Sequence, residues 1–202
     1  VAPALYNEGV RVFFIEELIE GIELRSYLPQ EDAAIYAMAG LLSNEEKAFR
    51  EHRLIPCLNC LEQLNRWNQH WAGKSDGRAV IHLDTHMNRL GLLDDEVEEL
   101  SANFESLTSN LSIDFYMSHF FDIKGDDHTN CHYQLSVLKQ YMEKLPPNDV
   151  SFACTDSIIL LNNEEVNFEQ VRPGIGLVGG APNAAKPISP HARHTIGIYA
   201  KM

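Results

Sequence analysis

Short apolar runs recur along the chain, each followed by a stretch whose apolar residues fall at helical spacing. The runs at 10–15 (VRVFFI), 33–38, 53–58, 79–84, 113–119 and 150–154 read as strands, and 171–178, opening VRPGIG, as a last strand or turn. Between them, a short helical stretch at 1–8 ends at Gly9, and 16–28 carries Leu18, Ile19, Ile22 and Leu28 close to one helical face. A polar helix is expected over 44–52, with Ser43 as cap and Glu46 three residues on at capping-box spacing. Leu61, Leu64, Trp67 and Trp71 mark one face of the next helix, 94–107 is acidic and amphipathic, and 131–145 and 158–162 complete the set.

Strand and helix alternate throughout, which predicts an α/β fold with a parallel sheet. Even spacing and the lack of a Gly-x-Gly-x-x-Gly fingerprint favour a (β/α)8 TIM-type barrel over a doubly wound sheet. The runs supply seven strands, and because a helix comes first, the expected missing strand is the first, ahead of Val1. Residues 1–180 are then an incomplete barrel. From Gly179 the stretch GGAPNAAKPISPHAR reads as a linker and HTIGIYAKM as the opening strand of a following β domain, so that 181–202 is linker and first strand.

Composition narrows the partners. A hydrophobic share of 45% with 22% charged residues is that of a soluble globular protein, and a net charge of -13 disfavours nucleic acid and anionic membrane. No apolar run approaches the roughly 20 residues that span a bilayer, and nothing resembles an export signal, so the expected location is cytoplasmic. The four cysteines are scattered apart from Cys57 and Cys60, and read as reduced thiols rather than a zinc or redox motif.

Chemistry gathers where the strands end. In IHLDTHMNRL, strand periodicity would place His82, Asp84 and His86 on one face, either as a divalent-metal site or as a polar layer of the barrel. His119 ends another strand. Arg89, His119, Ser157 and Arg172 all fall at or just past carboxyl ends of strands, and with the Pro173-Gly174 turn they suit an anion such as phosphate or carboxylate. Alternatively, the arginines pair with some of the 29 acidic residues.

Several of these segments together resemble the alanine racemases. DTHMNRLG (84–91) is similar to their DTGMxRLG, SHF with its acidic loop to THFAxAD, and VRPGIGLVG (171–179) to VRPGIxxYG. ALYNEGVRVFFIEELIEGIELR and CTDSIIL add weaker matches in the right order. The resemblance implies a barrel that binds pyridoxal 5'-phosphate, followed by a β domain, in a homodimeric enzyme that interconverts L- and D-alanine for cell-wall peptidoglycan. It implies that Arg89 bonds the cofactor's phenolic oxygen and lies near the substrate carboxylate. His119 would pack on the pyridine ring, Arg172 would donate to the pyridine nitrogen, and Ser157 with the backbone around Gly174 and Ile175 would hold the phosphate. No catalytic base and no metal ligand is expected within this chain, because the family's Schiff-base lysine and its tyrosine belong to segments before and after it.

The chain departs from the family at His82, where many members carry a carbamylated lysine, at His86 for Gly, at Asp156 for Asn and at Val178 for Tyr. Two other readings therefore stand beside the racemase: a barrel hydrolase with a metal on His82, Asp84 and His86, and a non-catalytic barrel that keeps a cofactor-shaped pocket.

Overall fold

A computed structural model describes residues 1–28, 32–74, 76–121, 123, 129–161 and 168–180. The expected linker and β strand at 181–202 lie outside these residues. Seven strands form one sheet in the order of the sequence, with every neighbouring pair parallel. They are β1 (Val12–Ile15), β2 (Ala34–Ala37), β3 (Ile55–Leu58), β4 (Arg78–His82), β5 (Ser112–Met117), β6 (Val150–Cys154) and β7 (Gln170–Arg172). Helices α1 (Ala2–Asn7), α2 (Leu18–Tyr27), α3 (Glu46–Glu51), α4 (Leu61–His70), α5 (Asp94–Leu107), α6 (Thr129–Lys144) and α7 (Thr155–Leu160) alternate with them. Sequential parallel order with a helix in each crossover is the arrangement of a TIM-type barrel, here nearly closed, with β1 and β7 as its two edges.

Alternation along each strand divides the core in two. Ile35 and Ala37 of β2, Ala79 and Ile81 of β4 and Phe152 of β6 join the large cluster beneath the helices, where Leu64, Trp67 and Trp71 of the α4 face are also buried. Tyr36, Ile55, Cys57, Val80, Phe115 and Met117 form a smaller cluster inside the barrel, with Phe14 packed against it. The Phe14 and Tyr36 rings stack at 5.1 Å, and the Arg172 guanidinium stands over Phe14 at 5.7 Å, so side chains reach from β7 to β1 across the unbonded edge.

Three local expectations are corrected. Ser43 does not cap α3, which starts at Glu46 after Glu45. Arg66 of α4 donates to Ser43 Oγ and to the carbonyls of Leu41 and Leu42, fastening that loop to the neighbouring helix instead. Ile19 is 66% exposed, while Arg25 of the same helix is buried and donates to the carbonyls of Ala33, His52 and Arg53. Helix α7 begins at Thr155 rather than 158, because Ser157 closes a cap with the backbone of Cys154. None of the four cysteines is in a disulfide.

Candidate active site

The strand bearing the polar run ends at His82, and the chain beyond it forms a closed loop. Leu92 N donates to His82 O and Asp84 N to Leu92 O, so residues 83–92 leave the barrel and return to it. The Asp84 carboxylate accepts from the amides of Met87 and Asn88 and clasps the turn. His86, in the left-handed region at φ 68°, points away from the interior. Its Nδ1 meets the Tyr133 hydroxyl at 2.6 Å and its Nε2 donates to Asp94 at 3.2 Å. The expected convergence of His82, Asp84 and His86 is thereby overturned: strand periodicity ends at His82, and the three side chains serve the interior, the loop and the flanking helices respectively. Among the described residues no group of three His, Cys, Asp or Glu side chains is placed to hold a metal ion.

His82 is held by the end of β3. Asn59 Nδ2 donates to the carbonyl of Met38, so its Oδ1 is the acceptor for His82 Nδ1, 2.7 Å away. That assigns the proton to Nδ1 and leaves Nε2 as an acceptor. Burial, then the nearby Arg172, His119 and Arg89, push the His82 pKa down to about 3. His119 at the end of β5 is likewise pushed down to about 4 by burial and the two arginines. Both rings are neutral at pH 7. Neither competes as a cation with the guanidinium groups beside it.

Arg172 at the end of β7 is fixed inside the barrel by donating to Ser151 Oγ and to the carbonyl of Ser118. Burial lowers its pKa to about 10, which still leaves it charged. Arg89 is exposed on the loop, and its guanidinium makes no hydrogen bond or ion pair with the described residues. Among the described residues neither arginine pairs with a carboxylate, and the oxygens that Arg172 binds there are neutral. His82, Asp84, Arg89, Ser118 and His119 line one small cleft at this mouth.

The turns after β6 and β7 lean on each other, with Gly176 N donating to Thr155 Oγ1. Gly174 is exposed, with open space where a side chain would stand, and Ile175 opens a 3-10 turn, Ile175–Val178. The amides of Gly174 and Ile175 have no acceptor among the described residues. Ser157 is fully buried, and its hydroxyl both accepts from Cys154 N and donates to Cys154 O.

A buried polar lattice ties the mouth together, and sequence reasoning missed it. Gln134 of α6 donates to Thr85 Oγ1 and to the carbonyl of His119, and accepts from Phe121 N. Thr85 and Ser118 share a hydrogen bond of 2.9 Å. A signal existed: Gln134 lies at helical spacing from Cys131, Val137 and Leu138, where α6 is otherwise apolar.

Residues 1–182 match the family described as the N-terminal domain of alanine racemase. The catabolic alanine racemase of Agrobacterium fabrum is 35% identical over 190 residues, covering 93% of this chain and 47% of that protein. An alanine racemase of Rhizobium meliloti is 34% identical over 179 residues, covering 89% and 46%. Among solved structures, the Bartonella henselae alanine racemase with covalently bound pyridoxal phosphate superposes with a TM-score of 0.82 at 31% identity, covering 96% of this chain and 54% of that one. The alanine racemase of E. faecalis, at 20% identity and a TM-score of 0.78, covers 90% and 49% and shares the fold. The chain spans about half the length of the relatives it matches.

Proposed function

This chain belongs to the alanine racemase N-terminal domain family, and from that premise we propose that it is the cofactor-binding barrel of a pyridoxal-phosphate-dependent enzyme that interconverts L- and D-alanine. The observation that carries the reading is Arg172, a charged guanidinium held at the mouth by neutral oxygens, with neutral His119 close by and Arg89 unpaired among the described residues at the cleft that His119 also lines. The donor set fits a planar, phosphorylated pyridine. Cations and unpaired amides suit its anionic groups, and an uncharged imidazole suits the ring face.

When bound, the cofactor supplies an electron sink that acidifies the α-proton of the amino acid. On this reading Arg172 would donate to the ring nitrogen and, because it stays protonated, would leave that nitrogen without a proton and the sink weaker. Arg89 would meet the phenolic oxygen and orient the substrate carboxylate. His119 would pack on the ring and the amides of Gly174 and Ile175 would receive the phosphate, whereas Ser157, fully buried, would join them only by giving up its bonds to Cys154. The proton-transferring groups are assigned outside this chain. We place the enzyme in the cytoplasm as a homodimer that supplies D-alanine for peptidoglycan; the net charge of -13 supports a soluble setting, and no described helix is long and apolar enough to cross a membrane.

The test uses the full-length protein that carries this chain. Borohydride reduction in the presence of pyridoxal phosphate should fix the cofactor to a lysine, and L-alanine should racemise and exchange its α-proton in D2O. Arg89→Lys should lower turnover by about 10- to 1000-fold, as loss of an oriented charged donor does in other enzymes. A cofactor that washes out after reduction, or an α-proton that does not exchange, would overturn the proposal.

A further inference from the structure

At the opposite end of the barrel the first residues of β1 to β4, Val12, Ala34, Ile55 and Arg78, open onto a second cavity of about 810 Å³. That is within the range of small-molecule sites, roughly 300 to 1,000 Å³. Five of the chain's nine arginines line it (Arg11, Arg25, Arg50, Arg53 and Arg78), against two carboxylates, Asp32 and Asp76. In a chain of net charge -13 this is a local reversal of sign.

Three of the five guanidinium groups are committed. Arg11 pairs with Asp32 at 3.0 Å, Arg78 with Asp114 at 2.8 Å, and Arg25 is spent on backbone carbonyls. Arg50 and Arg53 are exposed, and their guanidinium groups make no hydrogen bond or ion pair with the described residues. Arg53 is also held in the left-handed region at φ 51°, with its own carbonyl and that of His52 gripped by Arg25, so its position is fixed by buried structure. The apolar wall includes Trp67 and Trp71. Trp67 Nε1 donates to the carbonyl of Arg78, whereas Trp71 is 9% exposed and its Nε1 is buried without an acceptor among the described residues.

We propose that this cavity binds a small organic anion, its apolar body against the wall to which Val12, Leu54 and Trp71 contribute and its phosphate, sulfate or carboxylate head on Arg50 and Arg53. The site is separate from the mouth, at the other end of the strands.

Trp67 and Trp71 are the two tryptophans of this sequence and both line the cavity, so selectively excited tryptophan emission reports on it. Titration of the full chain with phenyl phosphate should give a saturable change in tryptophan emission. Inorganic phosphate should compete, and benzyl alcohol, which has the ring without the charge, should not saturate. The double variant Arg50→Gln/Arg53→Gln should weaken binding by about tenfold or more with an unchanged far-UV circular dichroism spectrum. For the unmodified chain, added sodium chloride should weaken binding in the same direction. Absence of a saturable change, equal binding of benzyl alcohol, indifference to salt, or undiminished binding by the folded double variant would each overturn the proposal.

Discussion

His82 sits 4% exposed on β4 and His119 half-buried just past β5, with pKa values pushed down to about 3 and about 4 by burial and by Arg172 and Arg89. In the unfolded chain both rings would titrate near the ordinary histidine value of about 6.5. Between that value and the folded one the unfolded state binds more protons, so stability falls as pH drops and levels off near the folded pKa. Between pH 7 and pH 5 His82 alone should cost about 2 kcal/mol of unfolding free energy, measurable by urea denaturation at the two pH values. His82→Gln, which keeps a donor for Asn59 but cannot titrate, should flatten the dependence. An unchanged slope in that variant would show that the ring is not held neutral by the fold.

The loop 83–92 is an element as much as any helix, because its ends are bonded to each other and Asp84 clasps its middle. Its tightness falls on Gly91, at φ 118°, where an added Cβ would stand 2.6 Å from Asp84 N and 2.8 Å from Leu83 C. Both neighbours are backbone and cannot swing aside. Gly91→Ala should therefore destabilise by about 2–4 kcal/mol and displace Arg89. Gly73, at φ 70° in open space, carries the backbone penalty alone, so Gly73→Ala should cost about 1 kcal/mol. Equal midpoints for the two variants in denaturant would contradict this account of the loop.

Across the whole molecule, protection should track sheet position. Strands β3 and β4 are bonded on both sides and largely buried on both faces, whereas β1 and β7 are the sheet's edges, with Val12 and Val171 exposed. Native-state hydrogen exchange should therefore be slowest at Val80 and Ile81 and fastest in β1 and β7. Uniform protection across the seven strands would mean that the edges are covered in solution.

Much of this architecture was legible in the residues. Short apolar runs separated by amphipathic stretches can bury both faces of a strand only within a helix-covered parallel sheet, so order, fold class and the bounds of α5 and β6 emerge from periodicity. The order of the strands also places Arg89, His119, Ser157 and Arg172 at one rim. Periodicity is local, however, and carries no information about where a strand stops bonding to its neighbour. That is why His82, Asp84 and His86 read as one face although the sheet releases the chain after His82. Contacts distant in sequence decided the rest: Asn59 fixing the tautomer of His82, Gln134 joining two loops, Ser151 and Ser118 anchoring Arg172, and five arginines meeting at the far end of the barrel. Each pairs residues many positions apart, and only the closing of the sheet brings them within hydrogen-bonding reach.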